Sequence, residues 1–312
     1  MPSVLVIGEA LVDVVQYLDG TTRNIPGGSP ANTAVALSRL GVNTFMKARM
    51  STDKYGIQIK KYLTDQSINL NHSLFVNDPS SVIEAQIQSD GSAKYSANLV
   101  GASDYGWQKD ELNQEIDSEI KVVHLGSLTS YVQPGATNVE NWFNELRNSN
   151  KYFLSFDPNI RHPLDGQPEK EVRERAKKLA SLANVVKASD EDLRWINPGK
   201  SLEDTALELI ESGTNLVVIT LGKLGAIAMN QQKELVQIQA EQINVVDTIG
   251  AGDTFSAALI LQLIERGLLD SDSLKSMNKN QIQEILLNCA QASAITCSRE
   301  GANPPTRKEV TW

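Results

Sequence analysis

The feature that most constrains this chain is a recurring one. Short, almost wholly apolar runs each stop at glycine or at polar residues. Ser3-Val-Leu-Val-Ile7 ends at Gly8, and Val122-Val-His-Leu125 ends at Gly126. Tyr152-Phe-Leu-Ser-Phe156 ends at Asp157, Asn184-Val-Val-Lys-Ala188 at Ser189, and Asn215-Leu-Val-Val-Ile-Thr220 at Leu221-Gly222. Runs apolar on both faces, β-branched and too short for helices, suit strands buried between two layers. The stretch 43–49 reads as a further strand, and helical patterns at 33–40, 53–65, 169–183, 202–212 and 281–296 alternate with these runs. The reading is an α/β protein with a mostly parallel central sheet between helical layers. One stretch breaks the rhythm. Polar, alternating runs at 81–88 and 93–98 flank an Asp-Gly pair, which predicts a hairpin. With strands drawn from about 12–25, it predicts a small β lid from 12–25 and 81–100 on a domain covering 1–312.

In open α/β sheets, ligands bind beyond the carboxyl ends of the strands. The polar residues of this chain collect there. The sharpest group is Asp247-Thr-Ile-Gly-Ala-Gly-Asp253, preceded by a β-branched stretch and followed by an apolar run reaching Gly267. It reads as a glycine turn opening a helix. The N–H groups of Gly250, Ala251 and Gly252 would lack intrahelical partners and, with the helix dipole, form an anion site. Asp253 alters that meaning, because a carboxylate beside an anion hole repels a resting phosphate. It suits a base that deprotonates a hydroxyl where a phosphoryl group arrives. The plain alternative, an Asp N-cap, stays open on spacing alone. Pro26-Gly-Gly-Ser-Pro-Ala-Asn32 is a second turn leading to a helix, where paired glycines admit a ligand and Asn32 offers a donor and an acceptor.

Composition bounds the partners. A net charge of −9 argues against general nucleic-acid or anionic-membrane binding. The start of the chain lacks a basic leader, and its apolar runs are too short to span a bilayer. Cys289 and Cys297, on one predicted helix, would stand roughly 12 Å apart, beyond disulfide reach. These features predict a reduced, cytoplasmic protein with buried structural thiols. Gly199-Lys-Ser201 lacks the preceding glycine of a Walker loop, since Arg194 stands there. No Gly-x-Gly-x-x-Gly follows Ile7, which weighs against a dinucleotide oxidoreductase.

Gly8-Glu9-x-x-x-Asp13, Gly27-Gly-Ser-Pro-Ala-Asn32, Asp157-Pro-Asn-Ile-Arg161, Lys187-x-Ser-Asp-Glu-Asp192, Thr220-Leu-Gly-x-x-Gly-Ala226 and the Asp247 motif occur in this order. Together they resemble the ribokinase (pfkB) family of carbohydrate kinases, in forms most like bacterial fructokinases. The resemblance implies a ribokinase-like three-layer α/β/α fold with a β lid. It implies transfer of the ATP γ-phosphoryl group to a sugar hydroxyl, with Asp253 as base and Gly250, Ala251 and Gly252 as anion hole. Asp13, Gly28, Asn32 and Arg161 would meet the sugar. Lys187, Ser189, Thr220, Gly222, Gly225 and Asn288 would lie on the nucleotide side. Asp192 would reach Mg2+ through water, standing where the family often has a longer acid. Asp247 would help hold K+, although Pro305 replaces a serine that ribokinase-like members carry. Fructose is the expected sugar. A 2-keto-3-deoxygluconate kinase or a ribokinase is the alternative, and the former is weakened by a lid strand whose only cation is Lys94. A non-catalytic sugar or nucleotide sensor is the reading of another class, and it has no use for Asp253. A half-apolar lid would also support a homodimer.

Overall fold

Eight strands build the central sheet, in the order Leu235–Ile238, Ala226–Asn230, Leu216–Thr220, Val185–Ser189, Phe153–Asp157, Ile120–Gly126, Ser3–Ile7, Thr44–Lys47. Pairings from Thr44–Lys47 through Leu216–Thr220 are parallel, and the last two are antiparallel. This is a computed structural model that describes residues 1–88, 93–163 and 166–312.

Side-chain alternation divides the core. Val4, Val6, Val122 and Val218 face the helices Ser29–Arg39, Ala251–Glu265 and Lys279–Cys297. Leu5, Ile7, Val123 and Val217 face Gly135–Ser149, Glu169–Leu182 and Leu202–Glu211. Period-two patterning in strands apolar at every position requires this arrangement. Helix Ala251–Glu265 is buried continuously from Asp253 to Ile264, as expected of a helix apolar on all sides. Among the described residues no helix is long and apolar enough to cross a membrane.

A separate sheet of four strands is ordered Thr22–Gly27, Leu11–Gln16, Val82–Ile87, Ala93–Asn98. Its outer pairings are antiparallel, and the middle one is parallel. It draws on both stretches assigned to a lid. The Ser89-Asp-Gly-Ser92 turn expected between its last two strands lies outside the described residues.

Two elements differ from expectation. A single strand from 43 to 49 was the reading, but the chain divides at Ala48. Thr44–Lys47 stays in the main sheet, while Arg49–Ser51 pairs with Leu74–Val76. Ala48 is held there by the Ser73 hydroxyl on its N–H at 3.1 Å and by the Leu74 N–H on its carbonyl at 2.9 Å. The helix expected from residue 33 begins at Ser29. Pro30 occupies the first turn, where its missing N–H has no cost. Gly28 caps it at φ 101°, a conformation in which a Cβ would also stand 2.7 Å from the Glu9 carbonyl.

Candidate active site

That earlier helix start makes Ser29 and Asn32 neighbours on one helical face. Both point at Asp253. The Ser29 hydroxyl donates to Asp253 Oδ1 at 2.6 Å, and the Asn32 amide donates to Oδ2 at 2.9 Å. Asp253 itself is the third residue of helix Ala251–Glu265, not its cap, which is Gly250. The plain N-cap reading therefore does not hold. Asp253 is 9% exposed. Burial raises its pKa above the ordinary carboxylate value, against the pull of Ser29, Asn32 and the Lys187 charge. Two helix N-termini meet at this carboxylate.

Gly250 adopts φ 77°. A Cβ there would fall 2.7 Å from the Cβ of Ala302 in the turn after the last helix. Neither Gly250 nor Gly252 has a hydrogen-bond partner for its N–H among the described residues. The Ala251 N–H differs from expectation, donating to the Thr248 carbonyl at 3.3 Å. The expected three-donor hole is thus two free donors and one long, replaceable bond. We expect Gly250→Ala to lose about 1–3 kcal/mol of stability and to lower turnover more than sugar affinity. Chemical denaturation and steady-state kinetics check both effects, and wild-type values in each would count against the tight turn as a functional need.

Lys187 approaches from the neighbouring strand, its Nζ 3.3 Å from where a Cβ on Gly252 would be. It forms a buried ion pair with Asp157 Oδ2 at 2.6 Å, and Ser256 donates to the same oxygen at 3.0 Å. Asp157 Oδ1 is buried without a hydrogen-bond partner. Asp157 in turn raises the pKa of Asp192, after the larger effect of burial. Asp192 accepts the Ile160 N–H at 2.8 Å through Oδ1 and the Ser189 N–H and hydroxyl through Oδ2. Ser189 and Asp192 thus form a capping box on helix Asp190–Ile196. Ser189 and one oxygen of Asp192 are committed to that cap, while Oδ1 accepts a single N–H and keeps acceptor capacity.

The described residues hold no cluster of three or more His, Cys, Asp or Glu suited to a metal. They do offer the orphan oxygen of Asp157 beside Asp192, a hard anionic pair. That fits Mg2+, which keeps most of its waters and leans on few carboxylates plus substrate phosphates.

Asp13 stands in strand Leu11–Gln16 over the glycine turn, its Oδ2 2.6 Å from where a Cβ on Gly27 would lie. Burial pushes its pKa up to about 6, opposed by the positive charge of Arg161. Arg161 is exposed and donates to the Ile160 carbonyl at 3.1 Å.

A cleft of about 980 Å³ opens from Ala251, Gly252 and Phe255. Thr220, Gly222 and Gly225 line it. Asn288 does not. Its amide donates to Gln262 at 2.7 Å and joins two helices, while Ala290, Ser293, Ala294 and Cys297 supply the cleft wall. Cys297 is therefore half-buried at the cleft, not the buried thiol expected, whereas Cys289 is buried. Asp247 ties its loop to the final turn, accepting the Ile249 N–H at 3.0 Å and the Gly301 N–H at 2.8 Å. A smaller hollow of about 200 Å³, lined by residues including Asn138 and Trp142, shares no residue with this site.

Residues 1–309 match the description "pfkB family carbohydrate kinase". The chain belongs to the pfkB family of carbohydrate kinases. Such kinases place a phosphoryl group on a sugar hydroxyl, the chemistry that a buried carboxylate beside free N–H donors would serve. Relatives agree in extent. The chain is 30% identical over 318 residues to a protein named probable fructokinase-4 from Arabidopsis thaliana, covering 97% of this chain and 94% of that one. A fructokinase double mutant from Vibrio cholerae, solved with fructose, ADP and potassium ion, superposes with a TM-score of 0.82 at 24% identity, covering 97% and 94%. A fructokinase from Xylella fastidiosa with bound ATP gives 0.86 at 20% identity, covering 99% and 94%. These last two likenesses speak to the ribokinase-like fold, which this pfkB kinase shares along its whole length.

Sequence reasoning misses Ser29 and Asp157 as site residues, although they stand inside Gly27-Gly-Ser-Pro-Ala-Asn32 and Asp157-Pro-Asn-Ile-Arg161. Asp157 carried a usable signal: an acid at the carboxyl end of a central strand.

Proposed function

We propose that this carbohydrate kinase is an ATP-dependent fructokinase yielding fructose 6-phosphate. The observation that carries the reading is Asp253, buried at a helix N-terminus between the free N–H groups and the polar side chains of Ser29 and Asn32. Fructose is supported by the names of relatives that align along nearly the whole chain. Sugar hydroxyls need buried partners, and Asp13, Gly28, Asn32 and Arg161 are offered for that task. Asp253 takes the proton of the attacking hydroxyl. Gly250, Gly252 and Lys187 stabilise charge on the transferring group. The nucleotide occupies the cleft between Gly222, Gly225 and Cys297. Asp157 and Asp192 would hold Mg2+, which neutralises phosphate charge when bound. K+ is assigned to the Asp247 loop and the Gly301 turn, and a potassium titration of turnover tests it. The four-stranded sheet acts as a lid that closes on the sugar, excludes water and limits idle ATP hydrolysis. Pairing of two lids would give a homodimer. The unpaired cysteines favour a reduced, cytoplasmic setting.

The test is an ADP-release assay with Mg-ATP against fructose, 2-keto-3-deoxygluconate, ribose, tagatose and adenosine. A clear preference for fructose is expected. Preference for another sugar would remove the substrate and keep the chemistry. Silence with ATP still bound would favour a sensor.

Asp13 adds a pH signature. Its pKa of about 6 lies above the ordinary 3.8, so the folded state binds that proton more tightly than the unfolded chain. Its contribution to stability therefore falls as pH rises between those values. Sugar binding runs the other way, because only the carboxylate can accept two hydroxyls. KM for fructose should rise as pH drops below about 6. Asp13→Asn should erase that inflection, and Arg161→Gln should move it upward. A flat wild-type profile through this range would remove Asp13 from the sugar site.

A further inference from the structure

One carboxylate outside this machinery sits where the chain passes between the body and the four-stranded sheet. Ala10 immediately precedes strand Leu11–Gln16, and Ser81 precedes Val82–Ile87. The chain leaves Ala93–Asn98 through the turn Ser103–Tyr105, which carries Asp104. Asp104 is 1% exposed. Its Oδ1 accepts the Ala10 N–H at 2.9 Å, and its Oδ2 accepts the Ser81 hydroxyl at 2.5 Å. It makes no ion pair among the described residues.

Backbone bonds tighten the same junction. Val12 N–H donates to the Ser81 carbonyl at 3.2 Å, and Ser103 N–H donates to the Pro79 carbonyl at 2.8 Å. A small apolar cluster of Leu11, Leu99, Ala102, Tyr105, Leu128 and Val132 packs around it. The remaining passage, at Gly27 and Gly28, leans on Glu9, whose carbonyl lies 2.7 Å from where a Cβ on Gly28 would be. Glu9 is itself buried and accepts the N–H and hydroxyl of Thr129, each at 3.0 Å.

A buried, uncompensated carboxylate is costly unless its acceptors are used. Here both oxygens are spent on the roots of separate lid strands. An amide or an apolar side chain of this size could pack, but could not accept both donors.

We propose that Asp104 is a positioning residue for sugar binding. It holds the roots of strands Leu11–Gln16 and Val82–Ile87 together, so that Asp13, three residues beyond Ala10, is presented over the Gly27–Gly28 turn. It does not touch the reacting atoms. This rests on the reading of that turn as the sugar site, which wild-type kinetics test separately.

The experiment compares wild type, Asp104→Asn and Ser81→Ala. Sugar and ATP kinetics are measured with fructose, together with amide hydrogen exchange of the free protein. Each substitution should raise KM for fructose about tenfold, the upper end of what the loss of one buried hydrogen bond costs. KM for ATP should stay within about twofold. Amides of residues 12–16 should exchange faster, with those of 216–220 unchanged. Should Asp104→Asn not fold, Ser81→Ala carries the test alone. A fructose KM unmoved in Ser81→Ala, or fructose and ATP KM rising together, overturns the proposal. If wild type does not use fructose, the proposed substrate fails. The exchange comparison then decides for Asp104, since unchanged exchange at 12–16 overturns it.

Discussion

Replacing Asp253 by Asn should lower turnover by at least about 100-fold while sugar and ATP still bind nearly as before. Asn keeps the shape and retains an acceptor for either Ser29 or Asn32. What it loses is the ability to take a proton. Burial makes the native carboxylate a stronger base than an exposed one, and the two hydrogen bonds hold it in a single pose. Wild-type activity should fall as pH drops through its raised pKa, because the protonated acid cannot accept the sugar proton. Turnover and calorimetric binding, measured on the same preparation, check the split. Near-normal turnover in the variant would place the base elsewhere. Equal loss of binding and turnover would make Asp253 a sugar ligand first.

Lys187→Met should affect both stability and catalysis. The Lys187–Asp157 pair is buried, the two side chains being 7% and 3% exposed. Removing one partner leaves a charge inside the protein, a change that costs about 3–5 kcal/mol. It also removes the cation beside Gly252, where the transferring phosphoryl group is proposed to lie. The double variant Lys187→Met with Asp157→Asn separates the effects. Stability should largely return, because no charge is stranded, while turnover stays low, since both the cation beside Gly252 and a carboxylate assigned to Mg2+ are gone. Denaturant unfolding and ADP release measure the two. If the double variant regains turnover, Lys187 is structural. If the single variant unfolds at the wild-type midpoint, the ion pair is worth little.

Much of this arrangement could be read in the chain. The strand cores were legible because parallel strands buried on both faces admit few polar residues, and three of them end at Asp157, Ser189 and Thr220, all residues of the candidate site. The Asp247 motif was legible because glycine at 250 has a conformational reason: φ 77° and a neighbour where a Cβ would go. The errors share a cause. Asn288 was placed at the nucleotide, but it turns toward Gln262 because the face of its helix that lines the cleft carries Ala290, Ser293, Ala294 and Cys297. Which helical face looks at the cleft depends on packing. The strand from 43 to 49 divides because Arg49–Ser51 leaves the main sheet to pair with Leu74–Val76, a partner more than twenty residues away in sequence.

The order of strands and turns, the glycine turn at Gly250 and the acid at Asp253 were therefore legible in the sequence, since each depends on residue type and local spacing. The three-dimensional fold alone decided what surrounds Asp253. Ser29 and Asn32 meet Asp253 across more than 220 residues of chain. Lys187 finds Asp157 on the adjacent parallel strand, and Asp104 gathers Ala10 and Ser81. Such contacts set how buried a carboxylate is and which hydrogen bonds it keeps. No local pattern encodes them, because they arise only when distant strand ends are brought to one edge of the sheet.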